Sequence, residues 1–449
     1  MASTAAALQR LGFDVRGSDS RFYPPMSDLL RERGVRVFRG FDAANLRERP
    51  DLTVIGNAVS RGNPEVELVL ERRWRYVSLP ELIREFFLWE KRPVVVAGTH
   101  GKTTTSALLA WILEANGLRP GFLIGGLPRN FDEGVRFAEG EWFVLEGDEY
   151  DSAFFDKRSK FVHYLPDILI LNNLEFDHAD IFPDLAAVQW AFAQVIRIVP
   201  RNGLILANGD DPNLSPLLEH APAPVRRYGF GPANDLRIEE AAFSAEGAGF
   251  RLGGTLFRSP LAGRFNALNA AAAIAAARQC GLNDAQIQAA LSRFRGVRRR
   301  MEIRRTRRGP AVVDDFAHHP TAIRETLETL RLRFPKARLW ALFEPGSNTT
   351  RRRIFQNELA AALRAADRIL IGPVARADRI PPEERLDVEQ LARDLNAAGA
   401  QAASLPDADR ILELVTAEAG PGDVVVCLSN AAFDNLPARL VETFGAEEE

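Results

Sequence analysis

Val94-Val95-Val96-Ala97-Gly98-Thr99-His100-Gly101-Lys102-Thr103-Thr104-Thr105 is the stretch that decides how this chain is read. An apolar run ends in a glycine-bearing turn, and Lys-Thr then opens a helix that continues from Ser106 to Ala115. A buried strand feeding such a turn has the geometry of a phosphate-binding loop. Successive backbone N–H groups and the positive helix end enclose phosphate oxygens. Lys102 is expected to reach β- and γ-phosphates, and the Thr103 hydroxyl to ligate Mg2+. The loop is expected to be exposed, so that Lys102→Ala leaves the fold intact. The spacing departs from the usual Walker pattern, which wants glycine where Val96 stands. A glycine turn without ligand is the weaker explanation, because burying a lysine and three threonines at a strand end has little structural purpose. A loop of this kind specifies a nucleotide and leaves the reaction open, since motors, switches, kinases and ligases share it.

Outward from that loop the same rhythm repeats. Apolar runs at Leu52–Ile55, Ile168–Leu171, Val312-Val313, Arg368–Ile371 and Val424–Val426 alternate with helical segments. Unbroken apolar strands between helices predict an α/β protein with parallel sheets covered on both faces. Three segments separate. Residues 1–91 form a small α/β unit that ends in the charged stretch Trp89-Glu90-Lys91-Arg92-Pro93. Residues 92–298 form a larger unit, with an irregular β stretch near 222–262. Residues 299–449 form a third α/β unit, whose acidic tail Glu447-Glu448-Glu449 is expected to fray.

The start of the chain breaks the pattern. Residues 3–11 read as a helix closed by Gly12, yet a doubly wound fold places a strand and a tight glycine turn before that helix. The expectation is a chain that is truncated or has its start mis-set. Its first domain would then be the least stable, and its grip on any ligand held at the start of that helix would be weakened.

Composition excludes several classes. A chain of 449 residues exceeds one compact core and suggests roughly two to four domains. A net charge of -3 gives no electrostatic case for nucleic acid. No apolar run approaches the roughly 20 residues a membrane span needs, and no signal-peptide pattern opens the chain. The expectation is a cytoplasmic protein, with no protein partner predicted. Cys280 and Cys427 sit far apart in apolar contexts and read as buried thiols.

Other strand ends carry chemistry. Phe143-Val144-Leu145-Glu146-Gly147-Asp148-Glu149-Tyr150-Asp151 delivers four carboxylates within six residues. Such a cluster repels itself without a cation, and Mg2+ needs one or two carboxylates. Glu146, at the strand end, is best placed. In Asn172-Asn173-Leu174-Glu175-Phe176-Asp177-His178, the imidazole of His178 could ligate a metal or simply hydrogen-bond. Asp314-Asp315-Phe316-Ala317-His318-His319-Pro320 repeats the logic, and zinc is disfavoured because no second cluster has zinc spacing. Arg298-Arg299-Arg300 stands at a domain junction, from which an arginine can swing onto a γ-phosphate.

Gly98–Thr104, the Glu146 cluster, Asn173–His178, Asn266-Ala267-Leu268-Asn269, Arg298–Glu302 and Asp314–Pro320 follow one another in that order. Together they resemble the signature set of the Mur ligase family across essentially the whole chain. The resemblance implies a three-domain architecture: an N-terminal Rossmann-like domain, a central P-loop ATPase domain and a C-terminal Rossmann-like domain. Asp314–Thr321 looks like the branch that acts on UDP-N-acetylmuramate. Asp151–Tyr164 and Phe343–Arg351 resemble the member that takes the tripeptide L-alanyl-γ-D-glutamyl-meso-diaminopimelate more than the one that takes L-alanine.

What the resemblance implies can be set residue by residue. Asp19, Asn57 and Asn63 would bind the UDP end of the sugar nucleotide. Gly98, Thr99, His100, Gly101, Lys102, Thr103 and Thr104 would hold the phosphates of ATP, with Thr103, Glu146 and His178 on Mg2+. Asn266 and Asn269 would lie near the adenine, and Arg300 and Asp315 would meet the nucleotide from the third domain. His319, Ser347, Asn348 and Arg351 would hold the peptide. Lys102, Glu146, His178, Arg300 and Asp315 form the implied catalytic set. Two departures stand out. Phe265 replaces the family's usual histidine, and Ala193-Gln194 stands where several members carry a carbamoylated lysine.

The implied reaction activates the lactyl carboxylate of UDP-N-acetylmuramate as an acyl phosphate, which the peptide amine then attacks. The same chemistry with L-alanine is one alternative, and the Phe343–Arg351 stretch argues against it. A non-catalytic nucleotide-binding switch is the other, and it would not need acids and arginines from both substrate domains.

Overall fold

The computed structural model describes residues 1–22 and 26–447, so Glu448 and Glu449 of the acidic tail lie outside the described residues. The chain packs as two compact units. The first comprises Met1–Glu175, Ala186–Arg237 and Ala272–Ala290; the second comprises Phe176–Leu185, Ile238–Ala271 and Leu291–Glu449.

The first unit is organised by a sheet whose central strand is Arg92–Ala97. Ile168–Leu171 pairs with it in parallel on one side and Trp142–Gly147 on the other. Leu204–Asn208 and Val225–Gly229 extend one flank, and Gly121–Leu123 with the antiparallel Val135–Arg136 extend the other. Val94, Val95, Val96, Val144, Leu145, Leu169, Ile170 and Leu171 are fully buried, which is why these strands read as unbroken apolar runs. Registers Val96↔Glu146 and Leu171↔Ala97 bring three parallel strands to an end at one edge of the sheet. The chain leaves the central strand toward Gly121–Leu123 on one side and later crosses from Trp142–Gly147 to Ile168–Leu171 on the other, and such a switch point is where open α/β sheets bind ligands.

Before that sheet, Arg16–Asp19 pairs in parallel with Arg36–Arg39, and Thr53–Ile55 with Tyr76–Ser78. Among the described residues these pairs form two separate two-stranded sheets.

The second unit contains a six-stranded sheet in the order Glu302–Arg304, Ala311–Asp315, Val424–Leu428, Leu339–Phe343, Arg368–Ile371, Gln401–Ser404. Only the Glu302–Arg304 edge is antiparallel. Period-two alternation divides its side chains between two cores. Val313, Ala341, Phe343, Ile369 and Val426 pack beneath the helices Pro320–Arg333, Gln356–Leu363 and Val388–Ala397. Val312, Trp340, Leu342, Leu370 and Val425 face Ala408–Glu418 and Leu436–Phe444. The irregular β stretch is an antiparallel meander of Leu236–Ser244, Gly247–Leu252 and Thr255–Ser259.

Cys280 and Cys427 are free and buried, and burial raises both thiol pKa values, Cys280 to about 12. No helix among the described residues is long and apolar enough to cross a membrane.

Candidate active site

The Arg92–Ala97 strand delivers Gly98 with φ at 144°, in the region that glycine alone enters cheaply. A Cβ there would meet Asn172 Cβ at 3.0 Å and the Asn173 backbone at 3.1 and 3.2 Å. The neighbouring strand end staples the loop. Thr99 N donates to Asn173 O at 3.1 Å, and His100 N to Asn173 Oδ1 at 2.7 Å. Glu175 N donates to Thr99 Oγ1 at 2.9 Å, and the His100 ring meets Glu175 Oε2 at 3.2 Å. Gly101, at φ 79°, turns the chain into the Lys102–Ala115 helix. First-turn amides of a helix point along its axis without intrahelical acceptors, so this turn presents N–H groups and positive potential together.

Two consecutive residues of that turn are held by two acids. Thr103 Oγ1 donates to Glu146 Oε1 at 2.8 Å, and Gly125 N fixes the other oxygen of Glu146 at 2.7 Å. Lys102 Nζ donates to Glu149 at 2.8 and 3.0 Å, to Gly98 O at 2.6 Å and to Thr99 O at 3.3 Å. The expectation of an exposed lysine is corrected here: the Lys102 side chain is 13% exposed and that of Glu149 2%. Burial works to lower the lysine pKa, but Glu149, Asp148 and Glu146 outweigh it and keep the ammonium charged. Asp148 faces Lys160 at 2.5 Å instead. Burial would raise its pKa, yet Lys160 and Lys102 hold it below the usual range.

In the second unit His178 sits at φ 56°, a strained value for this residue. Its neighbour Asp177 is 4% exposed. Thr349 Oγ1 donates to Asp177 Oδ1 at 2.7 Å, and the other carboxylate oxygen lies 4.0 Å from His178 Nε2 and 3.9 Å from His318 Nε2. Burial opposes ionisation of Asp177, but the three histidines 178, 318 and 319 and the Thr349 hydroxyl hold its pKa far below normal. His319 caps the Pro320–Arg333 helix: its Nδ1 accepts from Thr321 N at 3.3 Å, which leaves Nε2 to donate to Phe176 O at 3.2 Å.

The arginine run divides its labour. Arg299 is pinned by Ser429 O at 2.8 Å, Ala431 O at 2.7 Å and Asp314 at 3.4 Å. The Arg300 guanidinium lies 4.4 Å from the Phe316 ring centroid. Asp315 accepts from Met301 N at 2.5 Å and Ala317 N at 2.7 Å, and its burial raises its pKa. Its carboxylate thus ties two backbone turns together. Asn266 and Asn269 are buried and linked, Asn269 Nδ2 donating to Asn266 Oδ1 at 3.2 Å. Phe265 beside them is half-buried.

Ser347 Oγ and Thr350 Oγ1 are 2.7 Å apart, Asn348 Nδ2 donates to Asp180 at 2.6 Å, and Arg351 donates to Asn348 Oδ1 and to Ser347 O. Burial first, then Arg376, Arg352 and Arg379, lowers the Arg351 pKa, and Asp180 opposes the shift. Near the N-terminus, Asp19 ends its strand and accepts from Arg21 N at 3.2 Å, and Asn57 is exposed just beyond Thr53–Ile55. Asn63 caps the Pro64–Glu71 helix through Glu65 N and Val66 N.

The structure therefore brings Lys102, Thr103 and Glu146 together in the first unit. In the second it brings His178 together with His319, and Ser347 with Asn348 and Arg351. Sequence reasoning gave no separate part to Glu149, Asn172, Asn173, Asp177 or Thr349. Their signal was present only as polar residues at apolar strand ends and beside marked positions.

Residues 1–88 match the Mur ligase family catalytic domain, 96–277 the Mur ligase middle domain and 299–431 the Mur ligase glutamate ligase domain. The chain belongs to the Mur ligase family, with its three-domain α/β architecture. It is 42% identical to the UDP-N-acetylmuramate–L-alanyl-gamma-D-glutamyl-meso-2,6-diaminoheptandioate ligase of Escherichia coli K12, over 100% of this chain and 97% of that protein. Against a UDP-N-acetylmuramate–L-alanine ligase of Acidithiobacillus ferrooxidans the identity is 32%, over 100% and 96%. The crystal structure of a murein peptide ligase from Psychrobacter arcticus 273-4 superposes with a TM-score of 0.75 at 35% identity, over 100% of this chain and 97% of that one.

Proposed function

We propose that this protein is an ATP-dependent ligase. It joins L-alanyl-γ-D-glutamyl-meso-diaminopimelate to the lactyl carboxylate of UDP-N-acetylmuramate, as a cytoplasmic step in peptidoglycan recycling. The observation that carries the reading is the phosphate loop, with Lys102 and Thr103 each facing an acid, in a chain that aligns end to end with a ligase of that name. Residues 1–91 would bind the UDP sugar through Asp19, Asn57 and Asn63. Residues 92–298 would bind ATP, and residues 299–449 the peptide. The polar cluster of Ser347, Asn348 and Arg351 favours a multiply charged acceptor over L-alanine.

A carboxylate and an amine do not condense at neutral pH, because the leaving oxygen is too poor. The muramyl carboxylate attacks the γ-phosphorus of ATP; the bond to the β-γ bridging oxygen breaks, and ADP leaves. Lys102 and the first-turn amides stabilise charge that spreads over the transferred group. The peptide α-amine then attacks the acyl carbon, and inorganic phosphate departs with the carboxylate's former oxygen.

The donor set at Thr103 fits Mg2+. A hydroxyl and a carboxylate oxygen stand 2.8 Å apart, and Mg2+ takes hard oxygen donors of these kinds. Thr103 and Glu146 would hold the ion. When bound it supplies positive charge to the phosphates.

The oxygen balance supplies a test. With the lactyl carboxylate labelled with 18O, one labelled atom is expected in each phosphate released, read by mass spectrometry. Unlabelled phosphate alongside amide formation would rule out the acyl phosphate.

A further inference from the structure

The Trp142–Gly147 strand and the turn after it send two carboxylates to two consecutive residues of the phosphate loop. Glu146 takes Thr103, which the proposed chemistry uses. Glu149 takes Lys102 with both its oxygens, and the proposed chemistry gives it no part. Asp148, between them, bonds Lys160, and its charge also acts on Lys102.

An ammonium has three N–H groups. Those of Lys102 reach acceptors of two kinds: the Glu149 carboxylate, and the loop carbonyls of Gly98 and Thr99. The kinds differ in how they bear loss of the contact. A neutral carbonyl gives up one hydrogen bond cheaply. A buried carboxylate stripped of this cation would face the incoming polyphosphate as like charge, which is unfavourable. The exchangeable partners of Lys102 are therefore the carbonyls.

We propose that Glu149 is a positioning residue: it anchors the Lys102 ammonium while the remaining N–H groups turn from the Gly98 and Thr99 carbonyls onto phosphate. The inference rests on the nucleotide site proposed above.

The test is a double-mutant cycle on nucleotide binding. The Mg2+ complex of β,γ-imido-ATP is titrated calorimetrically into wild type, Glu149→Ala, Lys102→Ala and the double variant. In the wild-type background Glu149→Ala is expected to weaken binding about tenfold, because the lysine loses its anchor. In the Lys102→Ala background the same change is expected to strengthen binding, because it removes a negative charge from beside the phosphates. This reversal of sign is what a merely structural acid would not produce. Equal losses in both backgrounds, or no loss in the wild-type background, overturn the proposal. Melting curves check folding, and if Glu149→Ala does not fold, the isosteric Glu149→Gln runs the same cycle with the same signs expected. Steady-state kinetics adds a second reading: kcat falls while KM for UDP-N-acetylmuramate stays within about twofold. The binding cycle needs no ligation, so a protein that binds the analogue but does not use UDP-N-acetylmuramate refutes the functional reading and leaves this result to stand on its own. Wild type that fails to bind the analogue refutes both.

Discussion

Lys102→Ala is expected to lower ligation by on the order of a thousandfold, because it removes the one side-chain cation shown within the phosphate loop. It is also expected to lower stability. Lys102 and Glu149 form a buried pair, and removing one member of such a pair costs about 3 kcal/mol by stranding the other. A loop read as exposed would have left the fold untouched. The structure predicts instead a melting temperature clearly below wild type, partly recovered in Lys102→Met/Glu149→Gln, where neither charge remains. Phosphate release and thermal melting measure the two effects. Activity within about tenfold of wild type would count against the whole assignment.

Gly98→Ala is expected to remove nucleotide binding while leaving the two sheets in place. The φ of 144° is strained for any residue with a side chain, at about 1–3 kcal/mol. The added methyl would also press on Asn172 Cβ and on the Asn173 backbone. Those atoms cannot retreat freely, because Asn173 holds Thr99 and His100, and Asn172 Nδ2 bonds Thr105 Oγ1 at 3.1 Å. Relief must come from the loop itself, so its amides lose their common aim. Titration with β,γ-imido-ATP is expected to show at least about a hundredfold weaker binding, with far-ultraviolet circular dichroism unchanged. Binding within threefold of wild type would mean that the loop tolerates a side chain and that its close approach to Asn173 does not shape the site.

Features legible in the sequence were those set by local pattern. A fully buried parallel strand must be an apolar run, so the Arg92–Ala97, Trp142–Gly147 and Ile168–Leu171 strands announced themselves, and the polar residues just beyond them marked the site edge. The turn at Gly98 and the helix from Lys102 followed from glycine and helix-start chemistry. Partnerships across the chain were not legible. Glu149 looked like one acid among four, and only the fold sets it against Lys102. Asp177 and Thr349 are 172 residues apart in sequence and share a hydrogen bond. Satisfied polar groups were equally hidden. Asn63 and His319 carry helix caps, and Asp315 binds two backbone amides, so each has structural work that its residue type alone does not reveal.

The central claim is the identity of the acceptor in an ATP-driven ligation. Phosphate release from ATP is measured with UDP-N-acetylmuramate present and either L-alanyl-γ-D-glutamyl-meso-diaminopimelate or L-alanine as acceptor. The Arg351 guanidinium and the Ser347-Asn348-Thr349 turn predict a kcat/KM at least about a hundredfold higher for the tripeptide, as two to three charge-assisted hydrogen bonds would supply. A higher kcat/KM with L-alanine would contradict the account and make this protein the alanine-adding ligase instead.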